Sequence, residues 1–188
     1  PYDTESSYAF MLSADKATSF AYNSDTFTIR PNTSYRISVW VKTADIESGT
    51  GAYVYLRQSD DKNEGEVKDL ASFTAVNTDE LEDNNGWREL TLLVRGNADE
   101  TKELWLTLAL GTGGRYAAST LTRGTVFFAN MSMTEVPPAD YDDTTTGTYV
   151  KKVSLASSKT YSFANGGFDN VDLEETEGLA TGGVALQD

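Results

Sequence analysis

The sequence predicts an all-β fold, an antiparallel sandwich or barrel. Apolar residues recur at every second position in most segments, as on a strand with one wet face. Clusters of Gly, Pro, Asn, Asp and Ser separate those segments. Helical periodicity is nearly absent, with one exception below, so the strands are not expected to alternate with helices.

The elements follow in order. "SSYAFMLS" (Ser6 to Ser13) alternates through Tyr8, Phe10 and Leu12. "SDTFTIRP" (Ser24 to Pro31) carries Phe27 and Ile29 and runs into the turn "RPNTS". "TSYRISVWVKT" (Thr33 to Thr43) has an apolar row of Tyr35, Ile37, Val39 and Val41. "GTG" then breaks the chain, and "AYVYLRQS" (Ala52 to Ser59) alternates again. In "GEVKDLASF" (Gly65 to Phe73), Val67, Leu70 and Phe73 recur every three residues, which predicts a turn or two of helix. The turn "DNNG" leads to "WRELTLLVRG" (Trp87 to Gly96), where Trp87 is expected to cap one end of the core. "KELWLTLALG" (Lys102 to Gly111) and "RGTVFFANMSMTEV" (Arg123 to Val136) complete the series. Leu104, Leu106, Leu108 and Leu110 are expected to face inward.

Residues 1–136 therefore read as one domain. "VPPADYDDTTTG" follows, and its prolines, acids and threonines predict a linker over 137–147. Residues 148–188 hold two plausible strands, "TYVKKVSL" and "KTYSFANGGF", before an acidic tail. That is too little chain for an independent core without disulfides. The segment either packs on the main domain as a C-terminal extension of one or two strands, donates an edge strand, or begins a following module. The first residue is Pro rather than Met, which reads as a start within a longer protein.

The net charge is −14 over 188 residues. Such a surface repels phosphate, so nucleic acid and anionic membranes are disfavoured partners. No run reaches the length of a membrane span. The absence of both His and Cys excludes Cys nucleophiles, Ser-His-Asp triads, disulfides and zinc sites built on those ligands. Neutral ligands and hard divalent cations remain open.

Three strands place an aromatic on the row opposite their aliphatic one. In Thr33 to Thr43 that row is Arg36, Ser38, Trp40 and Lys42; in Ala52 to Ser59 it is Tyr53, Tyr55 and Arg57; in Lys102 to Gly111 it is Trp105, Thr107 and Ala109. If the strands share one sheet, Trp40, Tyr53, Tyr55 and Trp105 line a single surface, with Arg36, Lys42 and Arg57 near its edges. Such a surface suits a sugar. The C–H faces of a pyranose lie flat on aromatic rings, and its hydroxyls need polar groups at the rim. The competing expectation is that a loop or another module covers these aromatics.

The same residues carry a family likeness. "FTIRPNTSYRISVWVKT", "NNGWRELTLLV" and "LWLTLALGTGG…GTVFFANMSMTE" resemble stretches of jelly-roll carbohydrate-binding modules of the xylan- and β-glucan-binding type. The resemblance covers Ser6 to about Val136. It implies a two-sheet jelly-roll β-sandwich with a glycan on its concave sheet, and it leaves a structural calcium open as a cofactor. The chain departs from the pattern in two places. Ala129 and Asn130 stand where the family's last strand often has Asp, which weakens the calcium expectation. The family's opening signature is missing from the first residues and stands instead at "NGGFDN" (Asn165 to Asn170). That displacement implies either an array of modules or a strand supplied to a sandwich edge, within the chain or between copies.

Acid pairs occur at Asp60–Asp61, Asp79–Glu80, Asp142–Asp143 and Glu174–Glu175. They fall in turns and tails, so solvated loop charge explains them better than a glycosidase pair. "DDKNEGE" lacks the register of an EF-hand calcium loop, and "GTGGR" does not open a helix that would cradle phosphate. The expectation is a non-catalytic extracellular module binding polysaccharide. The alternative is a structural or adhesive repeat of a bacterial surface protein or filament, which meets neighbouring protein modules and self-assembles head to tail.

Overall fold

A computed structural model describes residues 8–49, 51–59, 66–74, 78, 86–96, 100–112, 121–143, 146 and 147–155. The chain divides into two compact units, Pro1–Ala156 and Ser157–Asp188. Every described residue belongs to the first.

That unit is a two-sheet β-sandwich. Its strands are β1 (Ala9–Thr18), β2 (Phe20–Asn23), β3 (Phe27–Ile29), β4 (Ser34–Ser48), β5 (Ala52–Ser59), β6 (Val67–Thr74), β7 (Arg88–Arg95), β8 (Lys102–Leu110), β9 (Thr122–Val136) and β10 (Val150–Ser154). A short helix, α1 (Pro138–Asp142), follows β9. Sheet one has the order β1-β9-β4-β7-β10, and sheet two the order β2-β8-β5-β6 with β3 also on β8. The chain crosses between sheets repeatedly, as a jelly roll does. All pairings are antiparallel except β10 on β7.

The alternation read from the sequence sets which side chains meet between the sheets. Tyr35, Ile37, Val39 and Val41 of β4 are buried, as are Val54 and Leu56 of β5 and Leu104, Leu106, Leu108 and Leu110 of β8. Leu90, Leu92 and Val94 of β7 with Val126 and Phe128 of β9 complete most of the core. β2 and β3 act as one interrupted strand along the edge of β8. At the break, Ser24 N–H donates to the Leu106 carbonyl at 2.9 Å and its Oγ accepts from Leu106 N–H at 3.0 Å.

Two bulges shift the alternation. In β6, Asp69 and Ala71 pair with Arg57 and Leu56, leaving Leu70 as the extra residue. The three-residue spacing of Leu70 and Phe73 therefore belongs to a bulged strand and not to the helix that the spacing predicts. In β9, Ala129 pairs with Trp40 and Ser132 with Ser38, so Asn130 and Met131 both oppose Val39. Asn130 takes φ 49°, a left-handed conformation that Asn tolerates better than most residues. Past this point the inward row becomes Met131 and Met133.

Residues beyond Val136 continue on this sandwich. Within the stretch expected as a linker, α1 is held by Arg95, which donates to the Pro138 carbonyl at 3.1 Å and lies 4.1 Å over the Tyr141 ring. β10 then pairs with β7, and Val153 and Leu155 join the core. Lys151 reaches across to donate to the Ser72 carbonyl of β6, closing that side of the sandwich. The second strand expected in the extension, "KTYSFANGGF", lies outside the described residues.

Candidate functional site

The outward row of sheet two collects four of the seven residues singled out from the sequence. Tyr53, Tyr55 and Arg57 stand in line on β5. Directly opposite on β8 are Ala109, Thr107 and Trp105, and on β6 Thr74, Ser72 and Asp69. β2 adds Asn23, paired with Thr107. The tyrosines thus run down the middle of the sheet, flanked mostly by small side chains. Their rings are stacked, with centroids 5.5 Å apart and planes 17° from parallel.

The charged end of this row is tied in place. The Arg57 guanidinium lies 4.2 Å over the Tyr55 ring, donates through Nε to Asp69 at 2.5 Å, and donates through Nη1 to Thr107 Oγ1 at 3.2 Å. Thr107 in turn donates to Asn23 Oδ1 at 2.6 Å. The Tyr55 hydroxyl donates to the Thr112 carbonyl at 3.1 Å. Trp105 is half-buried, and its Nε1–H is buried with no hydrogen-bond partner among the described residues. Chemically, the face offers flat apolar rings beside amide, hydroxyl and guanidinium groups. It has donors and acceptors for hydroxyls.

Trp40, Arg36 and Lys42 lie elsewhere. They face outward from β4, a strand of sheet one, whereas β5 and β8 belong to sheet two. Outward rows of the two sheets point away from each other, so the expected single surface through all four aromatics does not form. Trp40 stands between Glu89 and Ala129 as cross-strand neighbours. Arg36 pairs with Glu89 at 3.1 Å. Lys42 faces Phe127 on β9, and Phe127 lies 6.4 Å from the buried Trp87 ring. Trp87, buried just before β7, thus sits beside an outward-facing ring of sheet one.

Asn23 and Asp69 escape the sequence reading. Neither lies on a strand with an outward aromatic, and only cross-strand register brings them to Arg57 and Thr107. Among the described residues, no group of three acidic side chains is placed to hold a metal ion. Asp60 and Asp61 lie outside the described residues.

No family model matches the chain, and no curated protein matches it. Among solved structures, a CBM4 carbohydrate-binding module is similar at 12% identity and a TM-score of 0.42, covering 71% of this chain and 74% of that one. The VP2 subviral particle of infectious bursal disease virus is similar at 10% identity and a TM-score of 0.29, covering 68% of this chain and 33% of that one. At these scores neither likeness carries an argument about function.

Proposed function

We propose that the protein is a non-catalytic carbohydrate-binding module, and that the outward face of sheet two is its binding surface. The observation that carries this reading is the stacked Tyr53–Tyr55 pair with Arg57 at its end and Trp105 beside it. A pyranose placed on Tyr53, the tyrosine ring that Arg57 does not cover, would bury its C–H face against an apolar surface. Arg57 and the exposed Asn23 would meet its hydroxyls, with the buried Thr107 holding both in place. A neutral polysaccharide also suits a chain of net charge −14, since it meets no long-range repulsion. A secreted or cell-surface setting goes with such a ligand.

A few stacked sugars would give roughly −5 to −7 kcal/mol, an affinity of about micromolar to sub-millimolar. Titration calorimetry with xylan and β-glucan oligosaccharides tests this. Tyr53→Ala is expected to weaken binding at least about tenfold, the equivalent of about 1.4 kcal/mol. Trp40→Ala, on the opposite face, is expected to leave it unchanged. Loss of binding in Trp40→Ala with retention in Tyr53→Ala would move the site to sheet one. Absence of binding to a broad glycan array would end the carbohydrate reading.

A further inference from the structure

Among the described residues, the sandwich is open along one side. β1 pairs with β9 only as far as Ala129, and among the described residues no strand pairs with the same edge of β9 from Asn130 to Val136. Across the gap, β2 and β3 form the outer edge of sheet two. Between these edges lie two adjoining pockets of about 370 and 320 Å³, which share Met131. Phe10, Leu108 and Phe128 line the first; Phe27, Leu106 and Met133 line the second. Most of the large apolar side chains left exposed cluster here. Tyr8, Phe10, Met131 and Met133 line this opening and the Tyr22 ring packs 4.9 Å from that of Phe10, with Met131 48% exposed. Patches of this kind mark interaction surfaces, and an unpaired strand edge beside one invites an added strand.

We propose that this opening receives a strand from a second copy of the chain, supplied by its segment from Lys159 to Val171. The segment alternates Tyr161 and Phe163 with Ser162 and Ala164. Laid against β9 in line with β1, it would point its two aromatics into the pockets and its small residues outward beside Ser132 and Thr134. Backbone pairing supplies affinity in such strand addition, and the pocketed side chains supply specificity. The residues before Tyr8 are a poorer match, because their corresponding row is Tyr2, Thr4 and Ser6.

The donor must come from another copy because the tether is short. β10 lies at the far edge of sheet one, so a strand added outside β9 is four strand spacings away, about 19 Å. From Leu155 to Tyr161 the chain spans at most about 22 Å when straight, which leaves almost nothing for rounding the sandwich end. Donation from copy to copy has no such limit. It is heterologous and does not close on itself, so it builds open head-to-tail chains.

Light scattering on the full chain tests the proposal. The wild type is expected to show masses at multiples of 20.5 kDa that grow with concentration. A groove variant, Met131→Lys/Met133→Lys, and a donor variant, Tyr161→Ser/Phe163→Ser, should each remain at 20.5 kDa. The lysines replace exposed side chains, so the core is not disturbed. Mixed together, the two variants should form a dimer of twice that mass and nothing larger. The chain has no cysteine. Chains carrying Met133→Cys and Phe163→Cys should therefore join, on oxidation, into one covalent heterodimer. A wild type that stays monomeric, or variants that never form the mixed dimer, would overturn the inference.

Discussion

The Arg57 guanidinium lies 4.2 Å above the Tyr55 ring while its Nε donates to Asp69 at 2.5 Å. One cation is thus shared between an aromatic face and a carboxylate on the neighbouring strand. The Asp69 carboxylate is half exposed, so the ion pair itself contributes little. Arg57→Ala is expected to cost about 0.5–2 kcal/mol of stability, mainly through the ring contact and lost packing. Arg57→Lys should recover part of that stability and not the glycan affinity, because an ammonium lacks the planar fork. Urea denaturation and calorimetric titration of the two variants separate these effects.

Leu106 is 3% exposed and inward on the central strand of sheet two. Leu106→Ala should cost about 2–5 kcal/mol, read from the denaturation midpoint. A cost under about 1 kcal/mol would place β8 one residue out of register and turn Trp105 inward.

Thr43 and Thr78 hold each other reciprocally. The Thr43 N–H donates to Thr78 Oγ1 at 2.8 Å, and the Thr78 N–H donates to Thr43 Oγ1 at 2.9 Å, with both residues buried. Thr78→Val keeps the shape and leaves the Thr43 amide without that acceptor. It is expected to cost about 1–3 kcal/mol. Hydrogen exchange at the Thr43 amide should accelerate in the variant.

Asn130 carries the bulge that turns Met131 and Met133 inward. Asn130→Val places a β-branched residue at φ 49° and should cost about 1–2 kcal/mol. Asn130→Gly should cost little or stabilise. If both variants melt at the wild-type temperature, the bulge is not where the backbone register places it.

Much of the sandwich was legible because alternation is local. Whether Leu106 or Trp105 points inward depends only on their being neighbours on a strand. Where the period broke, the cause was local as well. Phe128 and Met131 are three apart, as are Leu70 and Phe73, and each spacing records one extra residue in a bulged strand. In the second case the same spacing suggests a helix, because a period of three fits both until the partner strand is known. The seven candidate residues were all expected to face outward, and on β4, β5 and β8 they do. Which sheet each strand joins is a different kind of fact. It depends on pairing between residues tens of positions apart, and no local period encodes it. Trp40 parted from Tyr53, Tyr55 and Trp105 for that reason alone. Asn23 and Asp69 joined Arg57 and Thr107 for the same reason, since cross-strand neighbours are chosen by hydrogen-bond register. The sequence by itself determined the strands and their inner faces. Only the tertiary structure decided which outer faces coincide, and that among the described residues one side of the sandwich stands open between β9 and β3.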